Sequence, residues 1–260
     1  MFRVQNLTKL YHGITAVDNF SYHVEEGEIV GLIGPNGSGK STSIDCVSGF
    51  QPANGGSWSL HGKDLTGLPP HAISLSGLTR TFQTVRAFDE MSVEENLCTA
   101  AQAADGVGWW PSIFRSKACR LNEDNARERA SELLILVGLS VYAPAPSAIL
   151  SYGQRKLLAI AAAMMARPKL VILDEPVAGV NPTMVTKIAA AIHKIRAEGV
   201  TLIVVEHNVN FIMDICDRVI VLDAGKKIAD GPPELIHTNP RVLQAYLGKR
   251  HVNQEAILDE

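Results

Sequence analysis

Residues 28–41 decide the fold of this chain: Glu28-Ile29-Val30-Gly31-Leu32-Ile33-Gly34-Pro35-Asn36-Gly37-Ser38-Gly39-Lys40-Ser41. The first six form a short apolar run that reads as a buried strand. The next eight match GxxxxGK[ST], and the residues after them predict a helix from about Gly39 to Ser48. The chemistry needs these residue types. Glycines let successive backbone N–H groups curl around phosphate oxygens, and the N-terminus of the following helix adds its positive dipole end. Lys40 can reach the outer phosphates, and the Ser41 hydroxyl can ligate Mg²⁺. A chance match, a mere glycine-rich turn, is rare even before context, and the strand–loop–helix setting makes it rarer.

Outward from this loop, residues 2–10 and 19–33 read as strands, the second broken by a turn at Glu25-Glu26-Gly27. Another short strand is expected at 57–61. From about 85 to 167 the periodicity is mainly helical, with apolar faces around 126–138 and 152–166. Strand 169–174, helix 182–197, strand 200–205, helix 208–216 and strand 218–223 follow. Strands alternating with helices imply an α/β core with largely parallel strands, into which the helical stretch is inserted.

Strand 169–174 ends in Asp174-Glu175. The carboxyl edge of such a sheet is where α/β proteins bind ligands. Asp174 could help hold Mg²⁺ there, and Glu175 could polarise an attacking water. Standing alone, two acids at a strand end are more often a solvated terminus; beside a phosphate loop they are not.

Bulk properties exclude several classes. The formal charge is -3, which offers no electrostatic case for nucleic-acid binding. Cys46, Cys98, Cys119 and Cys216 are far apart and form no CxxC, so neither a zinc site nor a disulfide framework is expected, and a reducing compartment is. The N-terminus lacks the apolar region of a signal peptide. No apolar stretch reaches the ~18 residues that span a bilayer, so the chain is expected to be soluble by itself.

Leu150-Ser151-Tyr152-Gly153-Gln154-Arg155-Lys156 raises a separate question. Ser151 with Gln154 three residues on is a capping box. Yet Arg155 and Lys156 fall in the first helical turn, where the dipole already disfavours cations. The helix end reads as awaiting an anion. Residues 104–121, with Trp109-Trp110, Arg115, Lys117 and Arg120, read either as a surface loop tucked onto the helical part or as a docking surface.

The order of these parts resembles the ATP-binding subunit of ABC transporters over nearly the whole chain. GPNGSGKST is similar to that family's phosphate loop, VILDEP to its acidic strand end, and LSYGQ to its LSGGQ signature. The resemblance implies a P-loop ABC ATPase core with an N-terminal antiparallel β-subdomain (1–84 and 168–260) and an inserted helical subdomain (85–167). It implies nucleotide contacts from Gly34, Asn36, Gly37, Ser38, Gly39, Lys40, Ser41 and Thr42. Tyr11 matches the aromatic that stacks on adenine, Gln83 a glutamine beside the Mg²⁺ site, and His207 a histidine that binds the γ-phosphate. In the family two subunits pair head to tail, so Ser151, Gly153 and Gln154 would meet the ATP of a partner copy, and its γ-phosphate would be the awaited anion. ATP and Mg²⁺ are the implied cofactors. Permease subunits, a second ATPase and, indirectly, an external binding protein are the implied partners, with the chain held at the inner face of the membrane.

Two positions depart from the family pattern. Tyr152 replaces the first glycine of the signature's pair, and Asn181 stands where an aspartate is common. Both occur in the branch for branched-chain amino acid import, which this chain resembles also in Arg80 to Phe88, the insert before the signature and Ala245-Tyr246-Leu247-Gly248. A lipid or lipopolysaccharide transporter ATPase, or a soluble relative acting on nucleic acid, are the alternatives.

Overall fold

The computed structural model describes residues 1–83, 87–102 and 117–246, with the backbone alone at 102 and 117–121. Trp109-Trp110, residues 84–86 and the chain beyond Tyr246 therefore lie outside the described residues. In chain order the strands are β1 (Phe2–Tyr11), β2 (Ile14–Val24), β3 (Ile29–Ile33), β4 (Gly55–Leu60), β5 (Lys63–Asp64), β6 (Leu78–Arg80), β7 (Leu170–Asp174), β8 (Thr201–Val205), β9 (Arg218–Asp223) and β10 (Lys226–Gly231). The chain forms two compact units, one from Met1–Ile73 and the segment from Thr201 onward, the other from Ser74–Val200.

The first unit holds two sheets. One is antiparallel in the order β2-β1-β4-β5. Its inner face is built by alternation along the strands: Phe2, Val4, Phe20, Tyr22, Val24, Trp58 and Leu60 are buried. The Phe20 and Tyr22 rings stack at 4.7 Å. Register shifts between Val4 and Leu7 coincide with Asn6 in the left-handed region, the mark of a bulge that bends the sheet.

The other sheet runs β10-β9-β3-β8 in this unit. The phosphate-loop strand β3 is central and parallel to both neighbours, Gly31 lying opposite Val204 on β8 and Val219 on β9. All five β3 residues are buried, as expected of a parallel strand covered on both faces. β10 closes the edge antiparallel to β9. Its Lys-rich, half-exposed sequence suits an edge strand.

The second unit contains the parallel pair β6–β7 and the helices Val93–Gln102, Lys117–Val137, Tyr152–Met164 and Pro182–Ala197. Helix Pro182–Ala197 buries Met184, Ile188, Ala191, Ile192 and Ile195, a 3.6-residue stripe. Helix Tyr152–Met164 buries Leu157, Leu158, Ile160, Ala161 and Met164.

Candidate functional site

In the first unit, the loop after β3 delivers Lys40 as the first residue of helix Lys40–Val47. The N-cap is Gly39, at φ 102°, and no side chain caps the helix. A Cβ on Gly39 would lie 2.5 Å from the Ala16 carbonyl oxygen, so only glycine fits. The uncapped helix start thus presents backbone donors. Lys40 is buried, and its Nζ donates to the carbonyls of Gly34 (2.7 Å) and Pro35 (3.2 Å). Ser38 Oγ is fully buried with no hydrogen-bond partner among the described residues. An ammonium resting on carbonyls, an orphaned hydroxyl and an open helix start form a polar cradle suited to phosphate oxygens.

Two further predicted residues lie in this unit. Tyr11, at the end of β1, is 38% exposed, and Lys9 Nζ sits 4.8 Å from its ring centroid. A ring held from one side by a cation can offer a face to a base. His207 follows β8, its side chain 58% exposed. Its backbone is fixed by Glu206, a fully buried carboxylate that accepts from the N–H groups of His207 (3.1 Å) and Asn208 (3.3 Å). Asn208 in turn caps helix Val209–Ile215.

In the second unit, β7 places Asp174 and Glu175. Asp174 is paired with Arg80 of β6, Nη2 to Oδ2 at 2.8 Å. Glu175 adopts φ 49°, a left-handed conformation unusual for a non-glycine residue and common where function fixes a side chain. Its Oε2 accepts from Gln83 Nε2 at 2.5 Å. Gln83 therefore stands against Glu175.

The signature residues give a different answer to the cation question than the sequence did. The capping box is present, Ser151 Oγ accepting from Gln154 N–H and Gln154 Oε1 from Ser151 N–H. The Gln154 side chain is thus committed to the cap. Arg155 pairs with Asp89 at 2.8 Å and donates to the carbonyls of Leu150 and Ala148. Lys156 is buried and donates to the carbonyls of Gln83 and Glu175. Both cations have partners in their own chain, so no outside anion is needed to explain them. Gly153 is buried, and a Cβ there would lie 3.0–3.2 Å from Met184 and Val180, so it lets the signature helix pack closely.

A family profile described as ABC transporter matches residues 17–178, well over half of the chain. The chain belongs to the ABC transporter family of ATPases. A second profile, for the branched-chain amino acid ATP-binding cassette transporter, matches residues 226–252 of this ATPase. The high-affinity branched-chain amino acid transport ATP-binding protein BraF of Pseudomonas aeruginosa is 40% identical over 250 residues, covering 96% of this chain and 98% of its own. The LivG protein of Escherichia coli, of the same description, is 37% identical with the same coverage. Among solved structures, an ATP-binding cassette of an ABC transporter in its ADP conformation superposes with a TM-score of 0.84 at 33% identity, covering 95% of this chain and 98% of the other. A nucleotide-free cassette gives 0.82 at 33%. This ABC ATPase thus has the α/β P-loop cassette fold and binds nucleotide.

Both departures of this ATPase from the family pattern have local reasons. Tyr152 opens a helix with ordinary negative φ, so no glycine is required there. Its ring, half-exposed, lies 5.6 Å from Lys156 Nζ. Asn181 is the N-cap of helix Pro182–Ala197, its Oδ1 accepting from Met184 N–H at 3.0 Å, with proline at N1. Asparagine and aspartate cap about equally well. Asn181→Asp is therefore expected to leave thermal stability unchanged, whereas Asn181→Ala should cost about 0.5–2 kcal/mol. Equal melting of all three proteins would remove the cap as the reason for Asn181.

The partners of three residues could not be read from sequence: those of Arg80, Lys156 and Glu206. Each acts on a residue far away in the chain or through backbone atoms. Sequence carried no direct signal for them: β6 is too short to show a period, the partners of Lys156 lie 19 and 73 residues away, and Glu206 follows the expected end of its strand.

Proposed function

We propose that this chain powers the import of branched-chain or closely related hydrophobic amino acids, by binding and hydrolysing ATP on behalf of two membrane permeases. The supporting observation is its end-to-end similarity to ATP-binding proteins of that transport class, which includes a match to the class-specific C-terminal segment. No helix among the described residues is long and apolar enough to cross a membrane, which suits a peripheral subunit docked on permeases at the inner face. An external binding protein delivers the substrate.

In this reading the loop from Gly34 through Thr42 wraps the phosphates of ATP, Lys40 leaving its carbonyl partners for phosphate oxygens. Tyr11 stacks on the base. Mg²⁺, when bound, neutralises charge on the phosphates. The Ser41 hydroxyl and the Asp174 carboxylate are hard oxygen donors of the kind it takes, and a site with one carboxylate plus phosphates is its usual habit. Glu175 accepts the proton of the attacking water, with Gln83 fixing the carboxylate and His207 bonding to the γ-phosphate. Ser151, with the N–H groups around Gly153, meets the phosphate held by a partner ATPase, which is either a second copy or a related chain.

The decisive experiment is uptake in the host. Deleting the gene is expected to impair uptake of leucine, isoleucine and valine at low concentration. Wild-type chain should restore it and Lys40→Ala should not. Normal uptake of all three with loss of urea, amide or aromatic-acid uptake would keep the importer and change the substrate. A defect confined to envelope lipids would remove the importer.

A further inference from the structure

Lys156 is 3% exposed and is the fifth residue of the signature helix, close to its N-terminus. Burial and the helix dipole both work against an ammonium there. An uncharged residue would hold the same helix at lower cost, so the position of the charge needs a reason. Its Nζ donates to the Gln83 carbonyl at 2.7 Å and to the Glu175 carbonyl at 2.9 Å. Gln83 in turn donates through Nε2 to the Glu175 carboxylate. The three residues close a ring: ammonium to one backbone, that residue's amide to the carboxylate of the other, and that residue's backbone to the ammonium. Glu175 sits in the left-handed region, where a non-glycine residue persists only if its surroundings hold it. The Lys156–carbonyl bond is one of those holds.

We propose that Lys156 is a positioning residue for hydrolysis, setting the main chain of Glu175 and Gln83 and tying their placement to the N-terminus of the signature helix. This rests on the reading above in which Glu175 is the base and Ser151 meets the partner's nucleotide. Lys156 lies little more than one helical turn from Ser151. A shift of the helix on engaging the partner's phosphate moves Nζ, and with it the carbonyl of the base on its own chain. Occupation of one nucleotide site is thereby reported to the base that serves the other. Its hold on Gln83 and Glu175 runs through their backbone carbonyls.

The test uses the ATPase assembled with its permeases, comparing Lys156→Met, Lys156→Gln and Lys156→Arg with wild type. ATP affinity, kcat per folded molecule and the Hill coefficient for ATP are measured. Methionine fills the space without donors and is expected to lower kcat about 10²-fold, the scale for a misplaced catalytic group. ATP affinity should be unchanged and the Hill coefficient should fall toward one. If the methionine variant fails to fold, glutamine carries the same expectation, since it keeps donors but is too short to hold both carbonyls. Arginine, with a fork of donors, should recover most of the loss. Wild-type kcat per folded molecule in the glutamine or methionine variant overturns the proposal, as does an arginine variant no better than methionine, or weaker ATP binding at unchanged kcat. Glu175→Gln is run alongside. Normal hydrolysis in that variant removes the base reading itself, whereas slow Glu175→Gln with fast Lys156→Met removes the proposal alone.

Discussion

Glu175→Gln is expected to slow ATP turnover by about 10²–10⁴-fold, the usual scale for a lost general base, while nucleotide binding persists. The substitution is well matched to the site. Glutamine has the same length and tolerates the same backbone as well as glutamate does. Its amide oxygen can still accept from Gln83 Nε2, and its carbonyl can still receive Lys156 Nζ. What disappears is the capacity to take a proton. Binding energy supplied by the phosphate loop in the other unit is untouched, so ATP-bound, closed dimers should accumulate. Steady-state phosphate release and nucleotide affinity measured on the same preparation check the result. Near-normal release would take Glu175 out of the base role. A loss of affinity equal to the loss of rate would mean that the change disturbed the fold.

Arg80→Ala is expected to destabilise the protein by about 3–5 kcal/mol, the cost of leaving one member of a buried ion pair behind. Arg80 and Asp174 are 7% and 10% exposed at the side chain, and their contact is 2.8 Å. The two residues are 94 apart in sequence and sit on the paired strands β6 and β7. Removing the guanidinium takes this close counter-charge from a buried carboxylate at the end of β7, beside Glu175. At about 2–4 °C per kcal/mol for a chain of this size, the melting temperature should fall by ~6–20 °C. Arg80→Lys should recover part of the loss, since a charge remains but the planar fork does not. A fall of less than about 2 °C for the alanine variant, below the loss expected from even 1 kcal/mol, would show that solvent reaches the pair and screens it.

What could be read in advance depended on how local the determining pattern was. The strand–loop–helix at 29–47 is a continuous signal, as are the Asn-Pro start of helix Pro182–Ala197 and the capping box at Ser151. All three appear in the structure within a residue or two of expectation. β6 was not foreseen: three residues, Leu78–Arg80, are too few to carry a period. β10 escaped because its sequence, Lys226–Gly231, carries two lysines and a glycine and depends on pairing with β9. Helices Pro70–Leu75 and Pro233–His237 are under two turns long. In the site, the glycines, Lys40 and the acidic pair were legible because their chemistry is tied to their own spacing. The partners of those groups were not. Arg80 reaches across 94 residues and Lys156 across 73, and Glu206 works through the two N–H groups next to it. The partners of the cations at the start of the signature helix were hidden for the same reason: dipole arguments count the helix, and these partners lie outside it.

The placement of β3 also sets an order of assembly during synthesis. Its two neighbours, β8 and β9, come from residues 201–223, far downstream of the strand itself. At about 5–20 residues per second, roughly ten to forty seconds separate the emergence of β3 from that of β9. Through that interval an apolar strand with two open edges waits on the nascent chain, the kind of segment that invites wrong pairing. The other unit, Ser74–Val200, is contiguous and can collapse as it leaves the ribosome. The nucleotide-binding half is therefore begun first and finished last, and a chain halted before about residue 223 carries the whole phosphate-loop sequence without the sheet that gives it shape.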